Sequence, residues 1–170
     1  MKMTEKIHQV LFCLVVFATA ATAQSVAFSA IPQKQSYRRG EPVRVEFTIT
    51  NKTNHDVLVG STFGLNYFVE LNIEGPNGIA RWCGRISGRK PRGKLFSVLR
   101  PGAHVNRALT ISCSAPGTLG YDMSSLGVYR ITARYGIPTP KEALKNIATN
   151  VEIVMGPVLA SKFEITIVSD

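Results

Sequence analysis

Few side chains of this sequence have the type and spacing needed for catalysis or metal binding. Outside residues 1–23, the histidines are His55 and His104, and the cysteines are Cys83 and Cys113. His55 falls in a polar turn and His104 follows a Pro-Gly turn, so both are predicted to be solvated surface residues rather than acid–base catalysts. The two cysteines lack the short paired spacing of zinc sites. The sequence therefore predicts no catalytic residue, no metal, no cofactor and no enzymatic activity.

One segment matches the residue pattern of a nucleotide-binding motif but lacks the residue and the structural context that the motif needs. Residues 88–94 fit the phosphate-loop pattern G-x-x-x-x-G-K. That motif needs Ser or Thr at the next position to bind magnesium, at the start of a helix. Leu95 stands there instead, and a strand is predicted to follow. We therefore interpret residues 88–94 as a basic loop rich in Gly and Pro.

The formal net charge of +9 is concentrated in one part of the chain. Residues 75–121 contain eight basic residues and no acidic residue. Most of these basic residues lie in a predicted loop over residues 81–94, here called the basic segment. Its candidate anion-binding residues are Arg81, Arg85, Arg89, Lys90, Arg92 and Lys94.

Arginine predominates in the basic segment, and its planar fork suits phosphate, sulfate and carboxylate groups. For an exported protein, the expected partners are anionic envelope lipids, acidic polysaccharide or an acidic protein surface. Nucleic acid is disfavoured, because Trp82 is the one aromatic residue that interleaves with the charges. The alternative is a solvated loop whose charge aids solubility.

The first 23 residues have the features of a secretory signal peptide. Lys2 and Lys6 precede an apolar run over residues 10–18, and the stretch ends in the A-x-A pattern at residues 21–23. The apolar stretch from Val10 to Ala23 has 14 residues, fewer than the roughly 20 that span a bilayer. We expect residues 1–23 to be removed on export to the periplasm or the exterior. Residues 24–170 then form one domain with no transmembrane segment.

Export also bears on the two remaining cysteines. An even number of cysteines in an exported chain indicates a disulfide, so a bond between Cys83 and Cys113 is predicted. The bond would attach one end of the basic segment to the domain. Two free buried thiols are the alternative.

Short strands of alternating polarity fill most of the remaining chain. Residues 43–50 alternate between apolar and polar side chains, which is typical of a half-buried strand. The same alternation recurs over residues 67–74, 129–135 and 163–168, with turn signals between the runs. Such spacing predicts an all-β sandwich or barrel. One short helix is predicted at residues 141–146, within a late loop.

Several turn motifs resemble those of bacterial secreted immunoglobulin-like domains. They are Tyr37-Arg38-Arg39-Gly40-Glu41-Pro42-Val43, Leu99-Arg100-Pro101-Gly102 and the segment from Tyr121 to Ile131. The resemblance implies an immunoglobulin-like antiparallel β-sandwich, in which Tyr129 begins a strand and hydrogen-bonds back across a corner. The arrangement is also similar to the small domain that precedes deuterolysin-type metalloprotease domains, although this chain has no H-E-x-x-H motif. It is more loosely similar to the proteinase inhibitor BsuPI.

Two classes of function follow from these features. The favoured interpretation is an exported, non-catalytic binding or accessory module that presents residues 81–94 to an anionic partner. The alternative is a proteinase inhibitor, in which the disulfide-anchored loop enters a protease cleft with Arg85 or Arg89 in the primary pocket.

Overall fold

The computed structural model describes residues 26–61, 63, 65, 68–84, 96–113, 118–137, 151–154 and 156–169. In this part of the chain every regular element is a β-strand, which confirms the all-β prediction. The strands are β1 (Val26–Pro32), β2 (Ser36–Arg38), β3 (Arg44–Asn51), β4 (Val57–Gly60), β5 (Val69–Gly75), β6 (Gly78–Ile79), β7 (Phe96–Leu99), β8 (His104–Thr110), β9 (Gly127–Ile137), β10 (Glu152–Ile153) and β11 (Gly156–Val168). The same residues include no helix long and apolar enough to cross a membrane. The signal peptide predicted at residues 1–23 and the helix predicted at residues 141–146 lie outside the described residues.

The strands form three sheets. Two of them have three strands each, in the orders β1-β3-β8 and β10-β4-β7, and the third has the order β2-β11-β9-β5-β6. β11 lies between an antiparallel neighbour, β9, and a parallel neighbour, β2. The five-stranded sheet is therefore mixed rather than purely antiparallel.

Alternation along β3, β5 and β9 buries one face of the β1-β3-β8 sheet and one face of the five-stranded sheet, whereas β4 is buried throughout. Val45, Phe47 and Ile49 of β3 are fully buried, while Arg44 and Glu46 on the opposite face of the strand are exposed. β5 and β9 repeat the pattern, as the sequence predicts. Burial of these apolar side chains is the main favourable contribution to folding.

Aromatic contacts connect the buried faces of the β1-β3-β8 sheet and the five-stranded sheet. The rings of Phe28 on β1 and Tyr135 on β9 have centroids 5.7 Å apart. Phe63 packs against both Phe47 and Tyr135, at 6.4 Å from each. The side chains of both sheets thus share one hydrophobic core.

β11 begins earlier than the alternation of residues 163–168 predicts, since it runs from Gly156. Its register against β9 shifts between Pro157 and Leu159, and this irregularity interrupts the expected period of two. The hydroxyl oxygen of Ser161 accepts a hydrogen bond of 3.1 Å from the backbone N–H of Ala30. A polar side chain in β11 therefore holds β1 beside the five-stranded sheet.

Candidate functional site

Residues 81–84, the described part of the basic segment, lie against residues 111–113 and 119–122, and these three chain segments are here called the root. A disulfide joins Cys83 to Cys113, whose Cα atoms lie 6.3 Å apart. The pairing predicted from the even number of cysteines is confirmed. The disulfide fixes the first described end of the basic segment to the chain that follows β8.

Backbone hydrogen bonds connect the three segments of the root independently of the disulfide. The N–H of Cys83 donates to the carbonyl of Gly120 at 2.9 Å, and the N–H of Cys113 donates to the carbonyl of Tyr121 at 2.9 Å. The N–H of Asp122 donates to the carbonyl of Arg81 at 2.8 Å. Residues 119–122 therefore lie between the two cysteine-bearing segments and bond to both.

Tyr121 attaches the root to the five-stranded sheet. Its side chain is buried, and its hydroxyl donates a hydrogen bond of 3.1 Å to the carbonyl of Leu71 on β5. Burial raises the pKa of the Tyr121 hydroxyl, while the hydrogen bond to Leu71 opposes that shift. The Trp82 ring packs edge-on against Tyr121, with centroids 5.0 Å apart and an interplanar angle of 74°. Among the described residues, the buried indole N–H of Trp82 has no hydrogen-bond partner.

Gly120 is the residue of the root that sequence reasoning missed. Its φ is +139°, a backbone conformation that residues other than glycine rarely adopt. A Cβ atom at this position would lie 2.6 Å from the carbonyl carbon of Ser112 and 2.8 Å from the nitrogen of Cys113. The close approach of the two backbones thus requires glycine. Gly117 stands three positions earlier, and the sequence does not show which of the two glycines is required by a close backbone contact.

The second end of the basic segment is anchored at β7. The ring of Phe96, the first residue of β7, packs edge-on against Phe68, with centroids 5.7 Å apart. β7 also pairs with β4 in antiparallel register from Phe96 to Leu99. The described residues on both sides of residues 85–95 are thus held by contacts with the core or by covalent linkage.

Among the candidate anion-binding residues, the structure describes Arg81 alone. Its side chain is exposed and lines a shallow cleft of about 220 Å³ together with Asn77, Asp122, Ser125 and Tyr129. The others lie outside the described residues and stay predictions. They are Arg85, Arg89, Lys90, Arg92 and Lys94.

The remaining two basic residues of the window are spread over different elements. Arg100 precedes the turn into β8, and Arg107 lies within β8. Arg107 pairs with Phe47 in the β3–β8 register, so it belongs to the core-facing side of this edge strand. An inward charge on an edge strand discourages pairing with another chain. None of the ion pairs between described residues involves Arg81, Arg100 or Arg107.

Tyr129 stands near the start of β9 and bonds back to the preceding turn. Its hydroxyl donates to the carbonyl of Ser125 at 3.0 Å and accepts from the N–H of the same residue at 3.1 Å. Burial raises the pKa of Tyr129, and the bonds to Ser125 oppose that shift. These bonds hold Tyr129 in place in the wall of the cleft that Arg81 also lines.

The two histidines lie away from the root in the described structure. The Nε2 atom of His55 is 2.5 Å from a carboxylate oxygen of Glu152, and its Nδ1 atom is 3.1 Å from the amide oxygen of Asn54. His55 is therefore partnered at the surface rather than simply solvated. His104 is exposed at the start of β8. The described residues contain no group of three or more His, Cys, Asp or Glu side chains that could hold a metal ion.

Comparisons with known proteins give similarity of shape but no family. No known family profile matches the chain, and no curated protein sequence matches it. It is similar to the β-glucosidase EmGH1 from Erythrobacter marinus, with 17% identity and a TM-score of 0.42, over 85% of this chain and 15% of that one. It is also similar to the CARDB domain of the PF1109 protein from Pyrococcus furiosus, with 12% identity and a TM-score of 0.41, over 88% of this chain and 99% of that one. The chain thus spans only a small part of the glucosidase.

Proposed function

We propose that this protein is an exported, non-catalytic binding module that presents residues 81–94 to an anionic partner of the cell envelope. The observation that carries the proposal is the anchoring of both flanks of the segment. The disulfide of Cys83 holds one flank, and the packing of Phe96 on Phe68 holds the other. A loop whose ends are fixed loses less conformational entropy on binding than a free chain does.

Charge supports an anionic partner. The basic segment has no acidic residue, and Arg81 at its start makes no ion pair with any described residue. Anionic lipid, acidic polysaccharide and an acidic protein surface all offer phosphate, sulfate or carboxylate groups to such a segment. Export is supported by the disulfide, because such bonds persist in oxidising compartments.

An immunoglobulin-like sandwich is the scaffold that we infer for this module. β1 pairs with β3 in one sheet, whereas β2 joins the other sheet beside β11. β5, β9 and β11 are neighbours in that second sheet, in the manner of the central strands of an immunoglobulin domain. The bond from Tyr129 back to Ser125 supports the same fold.

Binding to vesicles that contain an anionic lipid tests the function. The test variant changes four residues of the basic segment to Gln, and the matched control changes four exposed basic residues elsewhere. The first set is Arg85, Arg89, Lys90 and Arg92, and the second is Arg38, Arg39, Arg44 and Lys52. Each basic residue near an anionic bilayer contributes about 1 kcal/mol, so the test variant is expected to bind up to roughly 1000-fold more weakly. Equal weakening by both variants would show that net charge alone drives adsorption.

Heparin-like resin and an acidic protein resin extend the test to the other partner classes. If the segment acts as proposed, at least one of the three surfaces retains the wild-type protein in a salt-sensitive manner and releases the test variant first. Wild-type protein that passes all three surfaces at low salt would refute the proposal.

A proteinase inhibitor is the second candidate, and the position of Cys83 favours it. The disulfide fixes the chain two residues before Arg85, which suits a loop that enters a protease cleft in a preformed shape. Incubation with trypsin separates the two functions. Stoichiometric inhibition that is lost in the R85A/R89A variant supports the inhibitor, whereas rapid cleavage within residues 81–94 excludes it for that protease.

A further inference from the structure

The outward face of the five-stranded sheet exposes aliphatic side chains at one end. Ile79 is 64% exposed, Val128 is 44% exposed and Val168 is 40% exposed. Ile79 and Val128 line one surface groove of about 570 Å³. Val168 is two residues from Thr166, which pairs with Val128 across the sheet, so Val168 faces the same side. These three side chains are here called the apolar end, and exposed Arg38 of β2 lies beside Val168 on the same face.

A row of alternating charges crosses the same face next to the apolar end. Glu74 of β5, Arg130 of β9 and Glu164 of β11 are successive cross-strand neighbours. Arg130 donates from Nε to a carboxylate oxygen of Glu164 at 2.8 Å, yet the two side chains remain 70% and 59% exposed. Arg130 and Glu74 also line the groove that contains Ile79 and Val128.

The charge on this face is nearly balanced although the chain as a whole is basic. Further along the sheet, Glu70 pairs with Arg134, and Lys162 of β11 pairs with Thr132 of β9. With Arg38 of β2 included, the exposed face carries three acidic and four basic side chains, in a chain whose net charge is +9. An anionic partner would meet the three acidic groups, and a cationic partner would meet the four basic groups. A surface on which acidic and basic groups alternate in the same way can pair with the acidic and the basic groups of this face.

We propose that this face docks onto the same face of a second copy of the chain. In a symmetric dimer, one patch contacts its own copy, so an interface must be complementary to itself. A two-fold rotation can set Arg130 of one copy against Glu74 or Glu164 of the other. The apolar end supplies the area whose burial stabilises the contact. This self-association uses no residue of the basic segment, so it stands or falls separately from the proposed anion binding.

Sedimentation of the purified, oxidised protein tests the proposal. The wild-type protein is expected to form dimers as its concentration rises towards about 1 mM, the range of weak specific association. The R130E variant and the E74K/E164K variant are each expected to associate at least tenfold more weakly, because like charges then face each other. The control is R44E, which alters an exposed residue of the opposite sheet by the same charge change and is expected to dimerise normally.

Mixing the two weakened variants gives the decisive measurement. R130E protein presents three acidic groups in the row, and E74K/E164K protein presents three basic groups. An equimolar mixture is therefore expected to form heterodimers more readily than either variant forms homodimers. A wild-type protein that stays monomeric at every concentration would overturn the proposal. So would variants that dimerise like wild type, or a mixture that shows no gain over its components.

Discussion

The hydroxyl of Tyr121 donates a hydrogen bond to the carbonyl oxygen of Leu71, 3.1 Å away and 50 residues earlier in the chain. Tyr121 also accepts a hydrogen bond at its own carbonyl from Cys113, and its ring contacts Trp82. One residue thus links the disulfide, the start of the basic segment and a central strand.

Tyr121→Phe is expected to lower the free energy of unfolding by about 1 kcal/mol. The substitution keeps the ring contact with Trp82 and removes the buried hydrogen bond to Leu71, whose net value is of this size. Urea denaturation monitored by circular dichroism measures the change. Tyr121→Ala also loses the ring, so its cost should be about 3–5 kcal/mol. Two variants of equal stability would contradict this description of the root.

Gly120→Ala is expected to destabilise the protein by about 2–5 kcal/mol. The cost combines a positive φ with a Cβ placed 2.6 Å from the backbone of Ser112. Gly40→Ala is the matched control, since Gly40 also has a positive φ but open space around it. The control should cost only about 1–2 kcal/mol. The comparison of the two denaturation midpoints isolates the backbone contact, which equal costs would argue against.

The C83S/C113S variant is expected to lose about 3–4 kcal/mol of stability. A disulfide that closes a separation of 30 residues removes entropy from the unfolded chain by about that amount. Thermal denaturation of the variant should resemble that of wild-type protein treated with a reductant. The backbone hydrogen bonds of the root remain, so we expect a folded but less stable protein. An unchanged midpoint in both experiments would show that the disulfide contributes nothing.

Stability is expected to fall at alkaline pH because three buried tyrosines retain their protons in the fold. Burial raises the pKa of Tyr121, Tyr129 and Tyr135 above the ordinary value of 10.0. Below pH 10 both folded and unfolded chains hold these protons, so the contribution is fully present. As pH rises above 10, the unfolded chain releases protons that the folded chain keeps, and the free energy of unfolding decreases.

Urea denaturation at a series of pH values from neutral to strongly alkaline measures this effect. Ultraviolet absorbance of tyrosinate shows directly when the folded protein ionises. Tyr135→Phe should flatten the alkaline decline, since the hydroxyl of Tyr135 is hydrogen-bonded and buried at Gly60. A variant with the same alkaline slope as wild type would assign the decline to other groups.

The fold follows from the sequence wherever alternation has a simple cause. Residues 44–51 form β3 because every second side chain is apolar and reaches the core. Cys83 and Cys113 pair as predicted from their number alone.

Other features depend on long-range packing that no local pattern records. β2 and β10 are two or three residues long, and each exists only because it pairs with a distant strand in parallel. Arg107 lies on the core-facing side of β8 although it is charged. This is tolerated because β8 is an edge strand and leaves the side chain exposed. Arg81 follows β6 of the five-stranded sheet, whereas Arg107 lies in β8 of the β1-β3-β8 sheet. Basic residues from one part of the sequence therefore do not all lie on one surface.

The order of strands in the five-stranded sheet has a consequence for how the chain matures. β11 follows the other described strands along the chain, yet it lies between β2 and β9, two strands that are synthesised before it. A nascent chain that lacks residues 156–168 leaves both neighbours without their shared partner, so the sheet closes only after translation has passed this strand.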